Sequence, residues 1–178
     1  MNLQIALGGL MGATRGYSSA ATSDPFARAR VLSERGGVDK ALQVLNGLWG
    51  TAHTRGEQRK ALALADQMLE TAQTIGSTMA LSTAHYAEGL PRIYLGDLAG
   101  AREHLRLAIQ YHREEDFVGR PVPNVPGVGV HVFAAQTEWR MGHPDRALQH
   151  VDDAIAIAHR RKDTYAMVFA LSVGAYVY

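Results

Sequence analysis

GEQRKALALADQMLETAQ (56–73), GDLAGAREHLRLAIQYH (96–112) and GHPDRALQHVDDAIAIAH (142–159) are three versions of one pattern, and that pattern decides the fold. Counted from each leading glycine, position +5 is Ala61, Ala101 or Ala147, and position +9 is Ala65, Leu105 or Val151. Position +12 is Met68, Ala108 or Ala154, and position +13 is Leu69, Ile109 or Ile155. Steps of four, three and one return to the same side of a 3.6-residue helix. Each stretch therefore reads as an amphipathic helix, with alanine at two of these positions letting a neighbouring helix approach closely. Arg59, Glu103 and Gln149 fall elsewhere on the wheel.

The glycines are spaced by 40 residues (Gly56 to Gly96) and then by 46 (Gly96 to Gly142). Such a unit is too long for one ordinary helix and fits two antiparallel helices with two short turns. The glycine sits between the first and second helix, where a positive φ is cheap. The first helices are expected over 38–54, 77–95 and 127–141, each opened by a Gly, Ser or Pro signal. Gly16 lies 40 residues before Gly56 and marks a degenerate earlier unit, whose second helix is capped by Ser23 or Asp24 with Pro25 in its first turn. Pro91 falls inside the 77–95 helix, where it removes a hydrogen bond at a cost of ~3 kcal/mol. A kinked helix is the first expectation there and two short helices the second. The prolines at 121, 123 and 126 break any helix across 115–125, and this long loop accounts for the 46-residue spacing. The fold class is all-α. The units run roughly 1–36, 37–76, 77–125 and 126–162, with 163–178 the first helix of an incomplete unit.

Composition limits the function. The chain has 178 residues, 47% of them hydrophobic, which suits one folded domain rather than a disordered one. Lys+Arg 18 against Asp+Glu 17 leaves a net charge of +1, which argues against a nucleic-acid surface. With no cysteine there is no disulfide, thiolate metal site or cysteine nucleophile. No apolar run approaches the roughly 20 residues of a membrane helix, and the first charged residue, Arg15, comes too late for an export signal. A cytoplasmic protein without membrane contact is expected.

Helix pairs with Gly and Ala at these offsets resemble tetratricopeptide repeats in a long variant. Four segments, ATRGYSSA (13–20), NGLWGTAHTRGEQRKALALADQMLETAQ (46–73), YLGDLAGAREHLRLAIQYH (94–112) and PGVGVHVFAAQTEWRMGHPDRALQHVDDAIAIAH (126–159), are similar to the C-terminal repeat region of large bacterial signalling ATPases, often fused to adenylate/guanylate cyclase domains. The resemblance covers nearly the whole chain. It implies a right-handed α-α superhelix, a solenoid of about four helix pairs plus an unpaired C-terminal helix, used for protein contact or regulation. The catalytic parts of that family lie outside the corresponding region. This chain holds no G-x-x-x-x-G-K-[ST] loop; its nearest glycine cluster, Gly8-Gly9-Leu10-Met11-Gly12, lacks the lysine. Where family members tend to carry Gln-Asp before the Pro-Gly that follows the long loop, this chain has Asn124-Val125.

No residue set reads as catalytic. Ser33, Ser77 and Ser172 lack a G-x-S-x-G context, and the carboxylates of 114–116 and of Asp152-Asp153 read as solvated charge. Arg160-Arg161-Lys162 suits the negative end of a helix dipole. No cofactor and no metal is expected. There is no H-E-x-x-H, His104 and His112 are too far apart along one helix to share an ion, and His150, three residues before Asp153, reads with the others as an ordinary surface or partly buried histidine. By the tetratricopeptide resemblance, first helices line the inner face, which places Asn46, His53, Tyr86, Gln136 and Arg140 in a groove; Trp139 shares that face or lies in the core. The reading is a non-catalytic interaction or regulatory module whose partner is a protein or its own flanking domains. The alternative is a sensor of a small, sugar-like effector, of the kind found in repeat arrays of bacterial transcription activators, with Tyr86 and Trp139 stacking near Asn46 and Gln136. The apolar stretch 164–178, with nothing polar after it, and the uncovered start at 2–13 read as a segment of a longer protein or as surfaces for self-association.

Overall fold

The computed structural model describes residues 2–15, 25, 37–117 and 126–177. Among them are eight α-helices and no strand: α1 (Asn2–Arg15), α2 (Val38–Thr54), α3 (Gln58–Ile75), α4 (Thr78–Leu95), α5 (Leu98–Tyr111), α6 (Pro126–Arg140), α7 (Pro144–Arg161) and α8 (Thr164–Gly174). A 3-10 turn, Glu114–Phe117, follows α5. The expected caps Ser23 and Asp24, Gly16, and the prolines at 121 and 123 lie outside the described residues.

The helices pack in adjacent pairs, α2 with α3, α4 with α5 and α6 with α7, and each pair is closed by the same turn. Gly56, Gly96 and Gly142 have φ of 77°, 86° and 81°. In each case the next residue's N–H reaches back to a carbonyl five residues earlier: Glu57 to Ala52 at 2.9 Å, Asp97 to Arg92 at 3.0 Å, and His143 to Glu138 at 2.9 Å. That closure satisfies carbonyls left free at a helix end and requires a left-handed residue, hence glycine. The repeated glycine in the sequence is thus a repeated piece of backbone geometry.

Three of the four offsets counted from those glycines, +5, +9 and +12, form the buried face of the second helices, while Leu69, Ile109 and Ile155 at +13 are half-buried. Ala61, Ala65, Met68, Ala101, Leu105, Ala108, Ala147, Val151 and Ala154 are all essentially inaccessible. Their small volume sets the spacing between helices. At Gly89 of α4 the approach is tighter still, since a Cβ there would lie 2.8 Å from Leu105 Cγ of α5. Successive first helices also touch, α2 to α4, α4 to α6 and α6 to α8.

Pro91 does not divide its helix, because α4 runs unbroken from Thr78 to Leu95. A proline at 91 leaves the Ala87 carbonyl, four residues back, without its helical N–H partner. The indole N–H of Trp49, from α2, donates to that carbonyl at 3.0 Å, and the bond is buried. The break in the ladder is repaired from the neighbouring helix.

After α8 a turn over 175–177 brings Val177 against Ala135, Ala147 and Val151 of α6 and α7. The opposite side of α8 leaves Tyr165, Val168 and Leu171 exposed, along with Tyr176 beyond it, and α1 leaves Leu3, Leu7 and Leu10 exposed.

Candidate functional site

The first helices carry a connected row of aromatic rings. His53 stacks on Trp49 one turn earlier, with ring centroids 5.2 Å apart and planes 7° from parallel. Tyr94 of α4 meets His53 edge-on at 5.5 Å. Trp49 packs against Tyr86 of α4 at 5.9 Å, Tyr86 against Phe133 of α6 at 6.1 Å, and Phe133 against Phe169 of α8 at 6.2 Å. The row therefore crosses α2, α4, α6 and α8. Centroid spacings and tilts of this kind suit aromatic quadrupoles.

The polar tips of the row are fixed. His53 Nδ1 donates to Gln58 Oε1 at 3.0 Å, and Gln58 Nε2 donates to the His53 carbonyl at 3.2 Å. Burial lowers the His53 pKa against the opposing effect of the Gln58 bond, so the ring is neutral at physiological pH. Burial raises the Tyr86 phenol well above its ordinary value. Its hydroxyl lies over Gly129 of α6, where a Cβ would be 3.3 Å from the oxygen.

Of the residues expected in the groove, the structure brings His53 and Tyr86 together through Trp49. Asn46 is exposed one turn before Trp49. Arg140 is exposed and follows Phe133 by two turns, so it lies on the same flank of α6, with half-buried Gln136 between them. Trp139 departs from this stripe. Helical geometry turns it about 120° from Phe133, and it is 46% exposed. Trp49, Phe133, Tyr94 and Phe169 join the row without having been singled out. Trp49 was legible as the residue three after Asn46 and four before His53, the spacing of one helix face.

A separate cleft of about 500 Å³ lies between α5 and α6 and reaches α7, lined chiefly by Arg102, Leu105, Arg106, Thr137, Glu138 and His150. None of the six expected groove residues lines it. Its buried carboxylate, Glu138, is held by Arg102 at 2.7 Å.

Two histidine pairs occupy the insides of the hairpins. His85 and His104 place their Nδ1 atoms 3.2 Å apart, and His131 and His150 do the same at 3.2 Å. Burial, reinforced by the paired imidazole, brings His85 and His131 down to about 4. His104 and His150 are also lowered, chiefly by burial. A further buried acid, Glu88 of α4, sits 2.9 Å from Arg92. Burial and the neighbouring Asp66 nevertheless raise it to about 7.

No protein-family model, no curated protein and no solved structure matches this chain. Among the described residues no helix is long and apolar enough to cross a membrane.

Proposed function

We propose that the chain is a non-catalytic interaction module of the tetratricopeptide-like kind, curved into a right-handed superhelix whose inner face is made by α2, α4, α6 and α8. The observation that carries this reading is the aromatic row, which crosses all four of these helices and no second helix. Its rim offers an amide at Asn46, a phenol at Tyr94 and a guanidinium at Arg140, all exposed. A largely apolar row of rings with sparse polar groups at its edge suits an extended or helical segment of a protein partner. The repeat region of a bacterial signalling ATPase or cyclase-like protein is the setting that the sequence resemblance supports, with a flanking domain as one such partner.

The sugar-sensor alternative has less to stand on. It needs Tyr86 and Trp139 to stack on one face, and Trp139, though exposed, is turned about 120° from Phe133, the ring that Tyr86 packs against. The test is peptide selection on the folded chain from a random library, followed by amide chemical-shift mapping of the selected binders. Shifts should gather at Asn46, His53, Tyr86, Tyr94 and Arg140, and Tyr94→Ala with Arg140→Ala should weaken binding about tenfold or more. Binders that shift only α3, α5 and α7 would sink the reading.

A further inference from the structure

The turn glycines give the three hairpins a common register, and one interior position stands out in it. Eleven residues before and eight residues after the glycine stand Leu45 and Leu64, then His85 and His104, then His131 and His150. Eleven residues after it stand Gln67, Leu107 and Asp153. Only the third hairpin has two imidazoles and a carboxylate at these positions. Asp153 follows His150 by just under one turn of α7, so both side chains face α6 and its His131.

The atoms converge. His131 Nδ1 is 3.2 Å from His150 Nδ1 and 3.6 Å from Asp153 Oδ2, and the three ligand atoms all lie within 4.8 Å of one another. A tetrahedral ion with ligands at about 2.0–2.1 Å holds its donors roughly 3.3 Å apart. The two closest separations bracket that spacing. We propose that His131, His150 and Asp153 form a binding site for a divalent transition-metal ion of the zinc class, clasping α6 to α7.

The donor set selects that class. Two imidazole nitrogens and one carboxylate oxygen suit zinc and its neighbours, whereas calcium and magnesium ask for an oxygen cage. The other oxygen of Asp153 is 3.3 Å from Gln149 Nε2, which orients the carboxylate and leaves Oδ2 for the ion. His131 is 14% exposed and Asp153 43%, so the site opens to solvent on the carboxylate side. Water would take the fourth position. Reading along single helices misses the site because one of its ligands comes from the facing helix.

The experiment uses the untagged full chain after dialysis against a chelator. Zinc is titrated by calorimetry, and cobalt(II) by its visible absorption, which is intense in a tetrahedral site. One ion per chain, micromolar affinity or tighter, and a raised Tm are expected. Asp153→Asn should weaken binding about tenfold or more. His131→Leu with His150→Leu should abolish it while helicity is kept, because the first hairpin already carries leucines at both positions. His85→Leu with His104→Leu should leave it intact. Absence of saturable binding, or binding undiminished by the His131 and His150 substitutions, would overturn the proposal, the latter assigning the ion to surface histidines. Cobalt-induced broadening of amide signals in the unsubstituted chain decides the matter should that double variant fail to fold. Broadening centred on 131, 150 and 153 supports the site, and broadening centred elsewhere refutes it.

Discussion

Replacing Trp49 by phenylalanine should destabilise the chain far more when Pro91 is present than when it has been replaced by alanine. The bond from Trp49 Nε1 to the Ala87 carbonyl is 3.0 Å long and buried, and no helical N–H serves that carbonyl because residue 91 is proline. Trp49→Phe leaves a buried acceptor without a partner, which costs about 1–3 kcal/mol. The smaller ring, with weaker stacking on His53, adds about 1 kcal/mol. In a Pro91→Ala background the amide introduced at position 91 can donate to Ala87. A carbonyl oxygen has two lone pairs, so it stays bonded when the indole is lost. The same Trp49→Phe change should then cost only the packing contribution. The difference, a coupling of about 1–3 kcal/mol, is read from a double-mutant cycle by urea unfolding monitored by far-UV circular dichroism, with unchanged m-values as the check on two-state behaviour. Pro91→Ala alone is not the measure, since it combines a regained helix bond with lost proline burial. A coupling below about 0.3 kcal/mol would refute the repair account. So would rapid hydrogen exchange of the new amide at 91 in the doubly substituted chain.

The remaining predictions concern buried polar groups and close packing. His85 takes up its proton near 6.5 when unfolded and at about 4 when folded, with His104 and Glu103 acting on it. Between those values the unfolded chain holds more protons, so stability falls as pH falls from about 6.5 towards 4; His85→Leu with His104→Leu should flatten that limb in pH-dependent denaturation. Glu88 works in the opposite sense. Its pKa is raised from 4.5 to about 7, so its contribution is present below about 4.5 and is lost as pH rises through about 7. Glu88→Gln should remove that fall, a gain at pH 8 of about 1–2 kcal/mol after allowance for screening. Gly89→Ala gains helix propensity of about 1 kcal/mol but drives a Cβ to 2.8 Å from Leu105 Cγ. Overpacking of about 1–3 kcal/mol should outweigh the gain, giving a lower urea midpoint.

The helices and their pairing were legible because glycine and alanine have positional meaning. A left-handed turn needs Gly56, Gly96 and Gly142, and close helices need Ala61, Ala101 and Ala147, so both leave marks at fixed offsets. The expected first helices at 38–54, 77–95 and 127–141 agree with α2, α4 and α6 to within one residue at each end. Pro91 was legible as an anomaly but not as a solution, because the donor that repairs α4 is on α2. Trp49, the ring between His53 and Tyr86, was legible from its own helix, but its contact with Tyr86 on the next helix was not. Periodicity places a residue on a face of its own helix. It does not say which side chain on the next helix stands opposite.

Aligning the hairpins on their turn glycines supplies part of what periodicity omits. The positions eleven before and eight after the glycine lie inside every hairpin: Leu45 and Leu64 are buried in one core cluster, and the two histidine pairs approach to 3.2 Å. The pair is Leu–Leu or His–His and never mixed, and the physical reason can be tested on His85 and His104. Each ring nitrogen at 3.2 Å satisfies the other, one donating and one accepting. His104→Leu alone leaves a His85 ring, 8% exposed and stacked on Tyr111 at 5.7 Å, with an unsatisfied Nδ1 against an apolar side chain. That should cost about 1–3 kcal/mol. Adding His85→Leu removes the stranded nitrogen and restores the arrangement of the first hairpin, so the double variant should be more stable than either single one at pH 7. Urea midpoints of the four proteins give the answer. If the double variant is the least stable, burial rather than mutual satisfaction governs this position, and the pairing rule drawn from the repeat register fails with it.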